Sequence, residues 1–241
     1  MENFSLVKDL FRDVVDVKNY IPLASIEKLK IDLTNAIEQN EKMIFLSGAA
    51  GSGKSMILNS IYNNLKEKKN IFYISNPFLE INAVLNIIKT LNIDEHYYLF
   101  IDEAQLLDDS VLENLRIYAD KGNLTIVFAT HDVDLNRLLQ KRHFETRINY
   151  IFRTLPIRLE EVEYFINTKL IKADYVSLAE KFKPKHFKLI YKYTDGSLRK
   201  INQFMFKLFD VLEFFYQRDK EKVFKNLAKY MEITYMDIKG F

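Results

Sequence analysis

One octapeptide restricts the possible folds of this chain more than anything else in it: Gly48-Ala49-Ala50-Gly51-Ser52-Gly53-Lys54-Ser55. It fits the pattern G-x-x-x-x-G-K-[ST], a phosphate-binding loop. The apolar run Met43-Ile44-Phe45-Leu46 precedes it, and the helix-like segment 56–62 follows. Strand, loop and helix in that order are the context in which the pattern works. Glycines let main-chain N–H groups converge on phosphate oxygens without a Cβ in the way. The N-terminus of the next helix adds partial positive charge, which places Met56 beside the site with the loop residues Gly48 to Ser55. Lys54 is expected to reach the β- and γ-phosphates, and the Ser55 hydroxyl to ligate Mg²⁺. The chain has only 6 glycines, and this loop takes three of them, so the scarce residue is concentrated where the chemistry needs it.

The flanking pattern extends that reading. Apolar runs near 43–47, 71–75, 97–101, 124–129 and 150–155 alternate with helical segments. Strands apolar throughout and separated by helices predict a parallel sheet covered on both faces. The fold class is therefore α/β, a P-loop fold with five parallel strands. Pro22 opens a helix over about 23–39, with Ile26, Leu29, Ile31, Leu33 and Ile37 as its buried positions. Ser110 is read as the cap of a helix running to about Ala119. From Pro156 onward the pattern is helical only, over about 159–171, 177–182, 184–193, 197–216 and 220–231. This divides the chain into 1–155, an N-terminal arm plus the core, and 156–241, an all-helical lid.

Composition narrows the alternatives. At 241 residues and 48% apolar, the chain can build a substantial core. Its net charge of +2 gives no bias toward a polyanionic partner. It has no cysteine, so disulfides and thiolate metal sites are excluded, as suits a reducing compartment. Acids interrupt the first ten residues, which do not read as a signal peptide, and no window of 18 apolar residues occurs. The expected location is cytoplasmic, with peripheral attachment at the inner membrane face through a partner.

A second motif supplies acids. Phe100-Ile101-Asp102-Glu103 ends the third apolar run. A carboxylate at a strand's C-terminal end beside a P-loop can hold Mg²⁺, which is the expected role of Asp102. The next acid, Glu103, is placed to polarise a water aimed at the γ-phosphate. His96, His143 and His186 show no ligand spacing and read as core or surface residues. The aromatic group Phe204, Phe206, Phe209, Phe214, Phe215 and Tyr216 reads as lid core. Lysines 181, 183, 185, 188 and 192 read as a solvated face.

With Gly48–Ser55, Asp102-Glu103-Ala104-Gln105-Leu106-Leu107 and Gly196-Ser197-Leu198-Arg199 together, the chain resembles AAA+ ATPases. The D-E-A-Q-L-L form, Arg147-Ile148 and Gly196-x-x-Arg199-Lys200-Ile201-Asn202-Gln203 are similar to the branch of general secretion pathway protein A (ExeA) and MshM. That resemblance implies ATP and Mg²⁺ as ligands, and hydrolysis by water attack with Glu103 as base. It matches Thr130 to sensor 1, with His131 in reserve, and Arg199 to sensor 2. It makes Arg147 an arginine finger reaching a neighbour's nucleotide, with Arg142 and Arg153 as rivals. Asn76 is expected to restrain Glu103 until a client binds. A finger implies a nucleotide-dependent oligomer. The branch implies a client in a bacterial envelope machine: type II secretion, a type IV pilus or DNA uptake. A regulator of DNA transactions and a scaffold with little turnover are the alternatives. Larger members of the branch carry a membrane span and a cell-wall-binding region beyond the ATPase, so anchorage here is expected to come from a partner and not from direct peptidoglycan contact.

Overall fold

The computed structural model describes residues 4–12, 20–92, 94–139, 150–217 and 220–240, excluding the side chains at positions 83, 84, 87, 138 and 220–222. The chain divides into two compact units, Ser25–Leu155 and Met1–Ala24 with Pro156–Phe241.

The first unit is built on a five-stranded parallel sheet: β1 (Met43–Gly48), β2 (Asn70–Ile74), β3 (Tyr97–Ile101), β4 (Leu124–Thr130) and β5 (Tyr150–Thr154), in the order β2-β3-β4-β1-β5. Every residue of β1, β3 and β4 is buried, as near-continuous apolar runs covered on both faces require. The edge strands are less enclosed, and β5 leaves Ile151 and Arg153 exposed. Helices α2 (Ala24–Glu38), α3 (Lys54–Leu65), α4 (Pro77–Lys89), α5 (Asp109–Asp120) and α6 (Asp132–Leu139) connect or flank the strands. On α3, Ile57, Leu58, Ile61 and Leu65 are buried at helical spacing. A core of Phe45, Leu99, Ile101, Leu112, Leu115, Ile126 and Phe128 fills the space between the sheet and one helical layer.

Register decides where the functional residues come together. Ser47 pairs with Thr130, and Ile101 pairs with Phe128. The ends of β1 and β3 therefore flank the end of β4. In a parallel sheet the three C-terminal ends share one edge, so Gly48, Asp102 and Thr130 emerge side by side.

Two local expectations are corrected. Ile31 on α2 is 58% exposed, and the buried stripe is Ile26, Leu33, Ala36 and Ile37. Spacings of seven, three and one residues keep those four on one face and leave Ile31 on the other. On α5, Asp108 is the extended residue before the helix and Ser110 lies inside the first turn.

The second unit is helical: α1 (Phe4–Asp9), α7 (Leu159–Lys172), α8 (Val176–Ala179), α9 (Pro184–Thr194), α10 (Leu198–Tyr216), α11 (Lys220–Lys225) and α12 (Leu227–Lys239). The segment 220–231, read as one helix, is two, separated at Asn226 with φ −111°. The N-terminal arm, read as part of the sheet unit, lies instead with these helices. Phe4 and Phe11 contact Phe209 on α10 at 6.2 and 5.7 Å between ring centroids, and Lys8 Nζ meets Asp210 Oδ1 at 2.7 Å. Apolar arm residues find an aromatic face on α10, so burial outweighs sequence adjacency. Of the aromatic group on α10, Phe204 and Phe209 are core, while Phe214 is 53% exposed. All five lysines at 181, 183, 185, 188 and 192 are exposed. No helix among the described residues is long and apolar enough to cross a membrane.

His186 provides a pH test of this unit. It is 4% exposed, and its Nδ1 accepts the Lys183 N–H at 3.0 Å. Burial, then Lys185 and Lys183, hold its pKa below the ordinary value. The folded form therefore keeps a neutral ring that the unfolded chain protonates below about pH 6.5. The stabilisation is complete above that pH and declines as the pH falls toward the folded-state pKa. Thermal melts of wild type and His186→Gln from about pH 7.5 to 5 are expected to show wild type losing more stability on acidification than the variant.

Candidate functional site

β1 ends at Gly48, and the loop turns back through glycines with positive φ to start α3. Gly53, with φ 94°, is the residue before that helix, in a region where a Cβ is unfavourable. Gly48 is required for space. A Cβ there would lie 1.7 Å from Thr154 Oγ1 and 2.8 Å from Ser52 Oγ. Those two hydroxyls bond each other at 2.6 Å, and Thr154 Oγ1 also donates to the Ser47 carbonyl at 3.1 Å. The end of β5 thus braces the loop, a role for Thr154 that the sequence reading missed. Gly48→Ala is expected to cost about 1–3 kcal/mol of stability by overpacking and to weaken nucleotide binding; urea unfolding and a nucleotide titration measure both.

Lys54 opens α3 and is 6% exposed. A buried ammonium needs acceptors. Its Nζ donates to the carbonyls of Gly48 at 2.9 Å and Ala49 at 3.0 Å, and lies 3.4 Å from His131 Nδ1. The positive charge therefore sits within the curve of the loop. Ala49, Ala50, Gly51, Ser52 and Ser55 complete that curve, with Met56 half-buried on the first turn of α3.

Asp102 immediately follows β3 and is 5% exposed. Its Oδ1 accepts the Glu103 N–H at 3.0 Å, and its Oδ2 accepts the Tyr73 hydroxyl at 3.3 Å. The Asn59 amide donates to Tyr73 Oη and to the Ser55 carbonyl, each at 2.9 Å. Tyr73 and Asn59 thereby tie Asp102 to the turn of α3 that carries Ser55. Burial, followed by the charge of Asp102, pushes the Tyr73 phenol far above its ordinary pKa, so it remains a neutral donor. The residues suit magnesium. It favours one or two hard protein oxygens shared with phosphate over an all-protein cage. Ser55 and Asp102 supply such oxygens, and no group of three or more His, Cys, Asp or Glu among the described residues could hold a metal unaided.

Glu103 adopts a left-handed conformation, φ 50° and ψ 42°. This is uncommon for a residue with a Cβ and is a form of strain found at functional sites. The short 3-10 turn Ala104–Leu106 follows at once, contacting β4, α4 and α6. Glu103 Oε2 accepts from Gln105 Nε2 and lies 3.3 Å from His131 Nε2. Gln105 Oε1 accepts the Thr130 hydroxyl at 3.2 Å. An ammonium can only donate, so His131 Nδ1 must accept from Lys54 and its Nε2 must carry the proton toward Glu103. Lys54, His131, Glu103, Gln105 and Thr130 form one connected chain. It joins the phosphate loop to the acidic motif.

The remaining candidates are placed as follows. Thr130 is fully buried and directed to Gln105, whereas His131, the reserve, contacts both Lys54 and Glu103. Asn76 Oδ1 accepts the Phe78 N–H at 3.1 Å at the start of α4. Among the described residues, the partners of the Glu103 carboxylate are Gln105 and His131. Arg153 is exposed on β5, while Arg147 and Arg142 lie outside the described residues, as does His143. Arg199 is exposed on the first turn of α10, in the helical unit. Gly196 before it has φ 69°, and a Cβ there would meet the Ile157 carbonyl at 2.3 Å, which explains the glycine of that motif. His96 hydrogen-bonds Thr125 at 2.9 Å near the start of the strands, far along the sheet from the site. Asn59, Tyr73 and Thr154 carry no motif of their own, and Gln105 lies within Asp102–Leu107 with no role assigned to it there. Asn59 had one further sequence signal, its position four residues after Ser55 on the same helical face.

The family model described as Novel STAND NTPase 5 matches residues 11–143, the part of the chain that holds both acidic and phosphate-loop motifs. No curated protein matches the sequence. Among solved structures, Cdc6p from Pyrobaculum aerophilum aligns with a TM-score of 0.61 at 17% identity, covering 88% of this chain and 66% of that one. The RuvB Holliday junction branch migration motor of Thermotoga maritima aligns with a TM-score of 0.61 at 21% identity, covering 95% and 73%. A Walker-type ATPase of Pyrococcus abyssi gives 0.60 at 15% identity, covering 96% and 76%. At these identities the likeness is one of fold. It is the P-loop AAA+ fold, a parallel sheet followed by a helical region.

Proposed function

We propose that this chain, which belongs to the Novel STAND NTPase 5 family, binds ATP with magnesium and hydrolyses it with Glu103 as the general base. The observation that carries this is the junction of Lys54 and Glu103 through one imidazole, His131, at 3.4 and 3.3 Å. An ammonium and a carboxylate on either side of a single ring support reading the first as the phosphate grip and the second as the proton acceptor. Lys54 and the loop amides hold the β- and γ-phosphates. Ser55 and Asp102 would hold Mg²⁺, which neutralises charge on the phosphates when bound. Glu103 accepts the proton of the attacking water. Arg199 keeps the sensor 2 role that the resemblance implies, and Arg147 completes a neighbour's site, so the working form is an oligomer. Asn76 acts on this site only indirectly, by setting the start of α4. Release of phosphate from ATP, measured with and without magnesium, tests the reaction. Turnover that is absent, or indifferent to the metal, rejects it.

The form of Asp102–Leu107 supports a client in a bacterial envelope machine, since it is similar to the secretion ATPase branch. The partner is then an inner-membrane or cytoplasmic component of a secretion, pilus or DNA-uptake apparatus, and the protein works at the cytoplasmic face. A deletion strain is expected to lose secretion, piliation or transformation; intact performance in all three rejects the assignment. The exposed lysines at 181, 183, 185, 188 and 192 favour a second reading, a regulator of DNA transactions. ATP-modulated DNA binding that weakens steeply with salt would select it.

A further inference from the structure

We propose that Gln105 is a positioning residue for Glu103, and that the buried Thr130 hydroxyl influences hydrolysis through Gln105 without touching the nucleotide. The inference rests on the reading of Glu103 as the base. Thr130 closes β4 and has no exposed surface. Its hydroxyl points to the Gln105 side-chain oxygen at 3.2 Å. The carboxylate settles the orientation of the amide: it can only accept, so the NH₂ faces Glu103 and donates to Oε2, and the amide oxygen is left to accept from Thr130. The support under the carboxylate thus begins on a strand of the sheet and passes through one fixed amide.

The rest of the turn is held as firmly. The Leu106 N–H bonds the Glu103 carbonyl at 2.9 Å, and the Leu107 N–H bonds the Ala104 carbonyl at 3.1 Å. The Glu103 N–H is engaged by Asp102. Both side-chain contacts of Glu103, from Gln105 and His131, fall on Oε2. The two contacts occupy Oε2 and leave Oε1 as the oxygen open to water. A carboxylate with one oxygen tethered and one available is oriented for general-base work. Without Gln105, the flexible Glu103 side chain keeps only the longer contact to His131 and samples other rotamers.

The test uses the full chain in steady-state ATP hydrolysis. Gln105→Met keeps the side-chain length and removes both hydrogen bonds. Thr130→Val keeps the shape and removes the hydroxyl; Thr130→Ser restores it. Gln105→Met and Thr130→Val are each expected to lower kcat by about 10- to 100-fold, with KM and nucleotide affinity changed by less than about twofold. The double variant is expected to be no slower than Gln105→Met alone, because among the described residues the Thr130 hydroxyl bonds the Gln105 side chain. Thr130→Ser is expected to keep most of the activity. An unchanged kcat in Gln105→Met overturns the proposal, as do additive losses in the double variant. Weaker nucleotide binding in Thr130→Val also overturns it, since it would mean direct contact with the ligand. A wild type without turnover, or a Glu103→Gln variant as fast as wild type, removes the base reading itself and the proposal with it.

Discussion

Lys54→Ala is expected to weaken binding of Mg·ATP by on the order of 10- to 100-fold, the usual range for loss of a charge-assisted hydrogen bond. The ammonium is buried, and its partners include two loop carbonyls and one imidazole nitrogen. Phosphate oxygens are better acceptors for a cation than amide carbonyls, so nucleotide binding draws Nζ away from them. Its removal also leaves the carbonyls of Gly48 and Ala49 without this donor, and the loop loses its internal brace. Fluorescence titration with a labelled ATP analogue reads the affinity. A thermal melt without nucleotide reads the structural part, which is expected to be small beside the binding loss.

Glu103→Gln has the second large effect, and it separates chemistry from binding. Turnover is expected to fall by roughly 10²- to 10⁴-fold, as for loss of a positioned general base. Affinity for Mg·ATP is expected to stay within about threefold, since only a transition-state interaction is removed. The replacing amide has a carbonyl oxygen that still accepts from Gln105 and His131, so the turn keeps its geometry. Single-turnover hydrolysis and equilibrium titration on the same preparation distinguish the two quantities. A parallel fall in affinity would show that Glu103 holds the nucleotide instead of activating water.

The parts of this site legible in the sequence are those where chemistry demands a residue type at a fixed spacing along the chain. Gly48, Gly53, Lys54 and Ser55 lie within one loop, and Asp102 and Glu103 are adjacent on one strand end. The sheet was legible for a related reason: fully buried parallel strands are apolar at every position, and β1, β3 and β4 are such runs. The supporting contacts were not legible, because they depend on register between strands distant in the sequence. Thr154 reaches Gly48 only because β5 pairs with β1, and Tyr73 reaches Asp102 only because β2 pairs with β3. Thr130 and His131 illustrate the same limit. Thr130 ends β4 and His131 follows it, and which of two adjacent residues faces the loop depends on the chain direction after the strand. The fully buried Thr130 meets Gln105, and the next residue meets Lys54. The arm was misassigned because its partner, Phe209, lies about two hundred residues away.

Calorimetric titration of ATP into the purified wild-type chain, with and without magnesium, tests the central claim most directly. The account predicts one saturable site per chain, tighter with the metal than without. No saturable binding up to about 1 mM ATP in excess magnesium would contradict it.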